Sequence, residues 1–379
     1  MRDVPKFLAV KQASSNKDIA AQWSKLETLY NKKLWHQLTV EVLEFVCTPA
    51  FSTGSELVEL YENFLADFEN KINPLSLIEI CSYIVRQFPS PAEKLKFLDH
   101  FVEKVKGNPQ AIALCKVLAG GIKLHELSDQ PGTKNLIEEI EKILDEVDGI
   151  TPVHGRYYLL ASDLYRIQSK HADYYRSALR YLGCTDLETL NLEEQRQHAF
   201  YLGLAALLGE GVYNLGELLA HPILESLKGT DQAWLVDLLF ALNAGDIAGF
   251  QALRPKWSTQ ADLLAKEKLI HQKITLLALM EMTFKRPATD RQLSFVEIAA
   301  TTGLPVNEVE LLIMKSLSQG LLKGTIDQVA GTAHFTWVQP RVLDKNQLAS
   351  MMTRLEAWTK DISSIEHLVE TKAHDILTL

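Results

Sequence analysis

Cysteine is rare in this chain: Cys47, Cys81, Cys115 and Cys184 are the only four in 379 residues, and no two form a C-x-x-C pair. No histidines cluster beside them to complete a zinc site, so buried, reduced thiols in a reducing compartment are expected and no metal is. Positive charge is not in excess either. The formal net charge is -9, which removes any chain-wide attraction to nucleic acid phosphates or to an anionic membrane. Long apolar runs are missing: "ITLLALMEMTF" is interrupted by Glu281 and falls short of the roughly 20 residues that span a bilayer. The opening "MRDVPKFLAVKQASSNKD" has no continuous apolar core and no small-residue cleavage site, so a secretory signal is not expected. No G-x-S-x-G elbow, H-E-x-x-H helix or phosphate-binding P-loop occurs. His36, His154, His198 and His221 stand in helical or turn contexts without a local carboxylate or cysteine partner, so no catalytic residue and no cofactor are expected.

Helical periodicity dominates what is present. From about Ile19 to Phe284 apolar residues recur at three and four. Trp23, Leu26, Leu29 and Tyr30 form one stripe, and Leu34, Leu38, Val42 and Phe45 form the next, with a turn at Asn31 to Lys33. Further units are separated by "NP", "PSP", "GNP" and "DQPGT", residues that break helices and favour turns. Helices of about 12 to 16 residues joined by short turns predict stacked helical hairpins, a solenoid of the tetratricopeptide kind. Such a length predicts two or three domains or an extended array.

Two segments invite sharper readings. "RYYLLASDLYRIQSKHADYYRSALRYLG" mixes tyrosines with Arg156, Arg166, Lys170, Arg176 and Arg180, a composition that single-stranded RNA could use. Its spacing equally makes a hairpin with Leu164, Tyr165, Tyr175, Ala178, Leu179 and Leu182 inside and the cations solvated, and that is the expectation here. The glycines of "FYLGLAALLGEGVYNLGELLAHPILESL" have neither the spacing nor the preceding strand of a phosphate loop, so close packing and turns are their expected role. Leu263, Ile270, Leu277 and Phe284 then recur every seven residues, as in a long helix closing the array.

The segment from Ser294 changes pattern. Ser294 followed by Glu297 makes a capping box, Gly303 ends the short helix, and Pro305 opens a second helix with Val309, Leu312, Ile313 and Leu317 on its apolar face. After Gly320, "LLKGTID" and "AHFTWVQPRVL" alternate like two strands joined near Ala330 and Gly331. Helix, turn, helix and β-hairpin make a winged helix. A DNA reader needs cations around its leading helix, but here the leading residues are Asn307, Glu308 and Glu310. From Lys285 to Leu343 six basic residues face five acidic ones. No nucleic acid is therefore expected, and the strand carrying Phe335 and Trp337 is expected to offer an edge to another protein. Last comes the cleanest periodicity in the chain. Leu348, Leu355, Ile362, Val369 and Ile376 recur every seven residues, interleaved with Met351, Trp358 and Ile365 in the manner of a coiled-coil seam. That helix, about 45 Å long, is expected to bundle with helices of other chains.

Helical hairpins, a near-neutral winged helix and a heptad helix, in that order, resemble the PCI-domain proteins. "KKLWHQLTVEVLEFV", "LYENFLADFENKINPLSLIEI", "HADYYRSALRYLGC", "LGLAALLGEGVYNLGELLAHPILESL", "LMEMTFKRPATDRQLSFVEIA" and "FTWVQPRVLD" are similar to the PCI subunits of the proteasome regulatory lid in particular. The resemblance implies a tail over residues 1–18 and a helical arm over 19–170. It implies a PCI domain over 171–343, helical to 285 and a winged helix over 286–343, and a bundling helix over 344–379. It further implies a non-catalytic scaffold of the cytoplasm and nucleus that acts in ubiquitin-dependent degradation. Its partners would be other PCI subunits, joined through the winged-helix sheet, and lid subunits, joined through the C-terminal bundle. The arm would be free to reach a ubiquitin receptor. The lid's deubiquitinating subunit carries an H-x-H zinc segment, and this chain has none. Other complexes built on PCI subunits, the COP9 signalosome, translation initiation factor 3 and mRNA-export assemblies, form the alternative.

Overall fold

A computed structural model of the chain describes residues 4–14, 17–48, 55–287, 290–343 and 345–372. It divides into two compact units, Met1–Thr189 and Leu190–Leu379.

The first unit is helical throughout its described residues. Its longer helices are α1 (Val4–Ser14), α2 (Lys17–Asn31), α3 (Trp35–Val46), α4 (Pro74–Ile84), α5 (Pro91–Lys104), α6 (Pro109–His125), α7 (Gln130–Asp145), α8 (Pro152–Ile167) and α9 (His171–Cys184). The proline punctuation marks helix starts. Pro74, Pro91, Pro109 and Pro152 each open a helix, where a missing N–H costs nothing. Asn73, Asn108 and Asp129 accept hydrogen bonds from the first-turn amides of Leu75, Ala111 and Gly132. Three of the tight turns between helices turn on a single residue at positive φ, namely Lys33, Ser128 and Ser169.

Most neighbouring helices in sequence pack together, and α3, α4, α6 and α8 also pack in sequence as one row, starting at residues 35, 74, 109 and 152. These unequal intervals explain why no repeat consensus is visible. Their apolar faces form one continuous core from Val4 to Leu164, with Leu26, Leu38, Phe64, Phe68, Ile78 and Phe101 fully buried. Leu34 falls outside its expected stripe: it caps α3 and is 41% exposed. Cys81 and Cys115 are buried, Cys184 is half-buried, and Cys47, just past the end of α3, is exposed, against the expectation of four buried thiols. The tyrosine-rich hairpin is α8 and α9. Tyr157, Leu164, Tyr174, Tyr175, Ala178, Tyr181 and Leu182 face inward, Tyr165 and Leu179 are half-buried, and all five cations are exposed. Helix α9 folds back on α8, and both lie in the first compact unit.

In the second unit α10 (Leu192–Leu208), α11 (Trp234–Ala244) and α12 (Glu267–Lys285) pack together. Helix α12 is buried nearly all round between Ile274 and Met280, because the winged helix covers the side that the other helices leave open. It serves as a spine for both parts. The winged helix runs β1 (Gln292–Ser294), α13 (Phe295–Thr302), α14 (Val306–Ser318), β2 (Leu322–Asp327) and β3 (Thr332–Val338). Ser294 accepts from the Glu297 amide at 3.3 Å, but the Glu297 carboxylate pairs with Arg286 instead of closing the capping box. Gly303 ends α13 in the left-handed region at φ 67°, as its position predicts. The described residues end in α15 (Lys345–Lys372).

Candidate protein-interaction surfaces

The sheet has three antiparallel strands in the order β1-β3-β2. The short β1, which sequence alternation does not reveal, pairs Gln292 to Ser294 with His334 to Thr332. Strand β3 is therefore central and not an edge, and this corrects the expectation for its aromatic residues. Phe335 is only 1% exposed and belongs to the core, paired across from Gly324 at a β-bulge. Trp337 stays 36% exposed, with the Lys323 ammonium 4.9 Å from its ring centre. Among the described residues the outer side of β2 is a free edge, and β3 is open on its other side only beyond Phe335, whose amide donates to the Arg291 carbonyl at 2.9 Å.

Three cations of the winged helix and its flanks are already engaged. Arg286 pairs with Glu297 and Asp290, Lys315 donates to Gln272 at 2.7 Å, and Arg341 is buried against Glu281. Around the start of α14, Asn307 and Glu308 are exposed, and Glu310 accepts a hydrogen bond from Gln328 at 3.1 Å. A duplex would meet acid where a reader helix presents base.

Helix α15 is exposed from Leu348 to the end of the described residues. On its heptad face Leu348, Met351, Leu355, Trp358, Ile362, Ile365 and Val369 are 47–63% exposed. Ile376 lies outside the described residues. Together these side chains make a long exposed apolar stripe.

The root of α15 is held firmly, through residues that sequence reasoning did not single out. Arg341 and Glu281 form an ion pair at 2.6 Å, each side chain about 10% exposed, and Arg341 also donates to the Asn243 carbonyl at 3.3 Å. Gln347, in the first turn of α15, donates to the other Glu281 oxygen at 3.4 Å, and Lys285 lies 3.7 Å from that oxygen. Backbone packing adds to this: a Cβ on Gly216 would come within 2.6 Å of the Val342 side chain, so only glycine lets residue 342 lie so close. A glutamate inside an apolar stretch of α12 was the available signal, since buried carboxylates are rarely unpaired. The same helix carries Lys273, 3% exposed, whose Nζ donates to the carbonyls of Ala206 at 2.6 Å and Gly209 at 3.0 Å. It caps the C-terminal end of α10, while burial pulls its ammonium down to about 7. Among the described residues no group of His, Cys, Asp and Glu is arranged to hold a metal ion, and no helix is long and apolar enough to cross a membrane.

These features agree with comparisons to known proteins. Residues 22–239 match the family model of the PSD13 N-terminal repeats, and residues 251–337 match that of the PCI domain. The 26S proteasome non-ATPase regulatory subunit 13 of Dictyostelium discoideum is 38% identical, over 95% of each chain. Homolog B of that subunit in Arabidopsis thaliana is 36% identical over 97% of each. Similarity to subunit M of eukaryotic translation initiation factor 3 from Neosartorya fischeri is 24%, over 48% of this chain and 39% of that one. End-to-end similarity, the repeat match and the PCI match together establish that the chain belongs to the family of 26S proteasome non-ATPase regulatory subunit 13.

Proposed function

We propose that the protein is a non-catalytic scaffold subunit of the 26S proteasome regulatory lid that keeps neighbouring subunits in register for ubiquitin-dependent degradation. The observation that carries this reading is similarity along nearly the whole chain to relatives named as that subunit. The similarity to an initiation-factor subunit covers less than half of the chain and gives the alternative little support. Two surfaces would do the work. The free edge of β2 and the open end of β3 near Trp337 would pair with the winged helix of another PCI subunit, with Phe335 acting from beneath as a core support. The seam of α15 would enter a bundle with helices of other lid subunits, Ile376 extending it. The helical arm over 19–170 would contact a ubiquitin receptor, and the PCI domain would span 171–343. No nucleic acid, membrane, metal or cofactor enters this scheme, and its setting is the cytoplasm and nucleus.

Deleting 345–379 tests the reading. The truncated chain is expected to keep its helical content by circular dichroism yet to be missing from a lid reconstituted with the remaining subunits. Native mass spectrometry that finds the truncated chain fully incorporated would overturn it.

A further inference from the structure

The first unit carries a groove whose charge is left uncompensated. It lies between α4 with the turn that follows it, α6, and α8, and encloses about 640 Å³. Val85, Val117, Ile122 and Leu160 form an apolar floor, each no more than 8% exposed. The floor is low because Gly121 has no side chain, and a Cβ placed there would meet nothing within 4 Å. Most charges on the rim are already matched. Lys94 donates to Glu126 at 2.6 Å, while Asp163 accepts from Arg166 at 3.0 Å and has His125 at 3.5 Å. Arg86 and Arg156 are different: both are exposed on the rim, and neither has a carboxylate partner among the described residues. Arg86 is steadied instead by the Tyr83 ring, 5.2 Å from its guanidinium.

In a chain of net charge -9, two unmatched guanidiniums over an apolar floor are a local exception. Each guanidinium offers a planar fork that fits a carboxylate with two parallel hydrogen bonds. The floor between them gains by shedding water onto an aliphatic side chain. A nucleic acid strand would fit less well, since its affinity grows with the number of phosphates neutralised and only two free cations are available. We propose that this groove docks an acidic linear segment of another protein, with one aliphatic side chain over Val117 and Ile122 and carboxylates on Arg86 and Arg156. The proposal is independent of the lid reading, which rests on overall similarity and on the second unit.

The test uses the full chain and a short fluorescein-labelled peptide with a Leu-Leu centre flanked by glutamates, read by fluorescence anisotropy. Saturable binding is expected. It should weaken about tenfold or more in the double variant Arg86→Glu/Arg156→Glu, in Gly121→Leu, which fills the floor while leaving both arginines, and with the Gln-for-Glu peptide. Arg176→Glu, outside the groove, should leave it unchanged, and circular dichroism should be the same for all variants. Absence of saturable binding would overturn the proposal, as would binding indifferent to the groove variants. Tighter binding of a labelled mixed-sequence single-stranded RNA through the same arginines would overturn it in favour of a nucleic acid site.

Discussion

Replacing Glu281 by Gln should do more damage than replacing Arg341 by Met, although the two residues form one ion pair. Their 2.6 Å contact is nearly dry, with both side chains about 10% exposed. With charge centres about 4 Å apart and an effective dielectric near 20, the gross attraction is about 4 kcal/mol, largely offset by the desolvation of both ions. Removing one partner keeps the desolvation of the other and loses the attraction, a cost of about 3–5 kcal/mol. The survivors differ, however. With Gln at 281, Arg341 retains only neutral acceptors, the Asn243 carbonyl and the amide oxygen; without Arg341, Glu281 still has Lys285 at 3.7 Å and Gln347 at 3.4 Å. Glu281→Gln is therefore expected near the upper part of that range and Arg341→Met near about 2 kcal/mol. The double variant should cost less than the sum by about 2 kcal/mol. Urea unfolding gives the free energies, and hydrogen-exchange mass spectrometry on 332–343 and the first turns of α15 localises the opening. Additivity within about 0.5 kcal/mol, or Arg341→Met proving the worse of the two, would refute the argument. Because Glu281 holds residues on both sides of the 341–347 connection, its loss should also weaken lid incorporation more than the loss in stability alone explains.

Other expectations follow from single sites. Burial holds the Lys273 ammonium near 7 in the folded chain, whereas unfolded lysine titrates near about 10.4, so between those values only the unfolded state binds the proton. Stability relative to Lys273→Met should therefore rise from pH 7 to pH 9, with a slope approaching about 1.4 kcal/mol per pH unit, and parallel pH profiles in urea titrations would count against it. Charged substitutions on the seam, such as Leu355→Glu with Ile362→Lys, alter exposed side chains and should shift unfolding by no more than about 0.5 kcal/mol, yet abolish entry into the lid. Alkylation by N-ethylmaleimide should mark Cys47 first and Cys184 more slowly. Cys115, its thiol pushed up to about 12 by burial, and Cys81, raised for the same reason, should react only on unfolding, and peptide mapping would show a different order if the burial argument fails.

Local signals and non-local ones had very different legibility. The helix starts at Pro74, Pro91, Pro109 and Pro152, and the stop at Gly303, could be read in sequence because each depends on the conformation of one or two residues. The seam of α15 was equally plain, since beyond its first turns the described part of that helix is exposed all round and carries no competing pattern. What could not be read was everything decided by which element lies beside which. Simple alternation would put Phe335 and Trp337 on one face of β3, but the β-bulge between them turns Trp337 to the other face, beside Lys323. Alternation also contains nothing about β1, whose three residues are too few to alternate visibly, and it is β1 that moves β3 from the edge to the centre of the sheet. Two residues of identical pattern then take opposite roles. Phe335 ends in the core, while Trp337, two positions on, lines a cavity of about 620 Å³ beside Met351 and Arg354.

The buried charges show the same limit from the other side. Glu281 interrupts an apolar run and Lys273 stands between Gln272 and Ile274, and neither position names its partner in sequence. They are buried because α12 is enclosed on every side, and enclosure is supplied by elements far along the chain: α10 gives Lys273 its carbonyls, and the segment after β3 gives Glu281 its arginine. A charge that only a distant partner can satisfy is a constraint on how the helical part and the winged helix of this unit fit together. It contributes little net stability, because desolvation offsets most of the attraction, but any misfit of the two parts would leave a buried ion unpaired at a cost of several kcal/mol. If α15 enters a bundle as proposed, the direction in which it leaves the domain is the property its partners would depend on. A buried pair at the root of that helix fixes the direction in a way that an apolar contact, tolerant of sliding, would not.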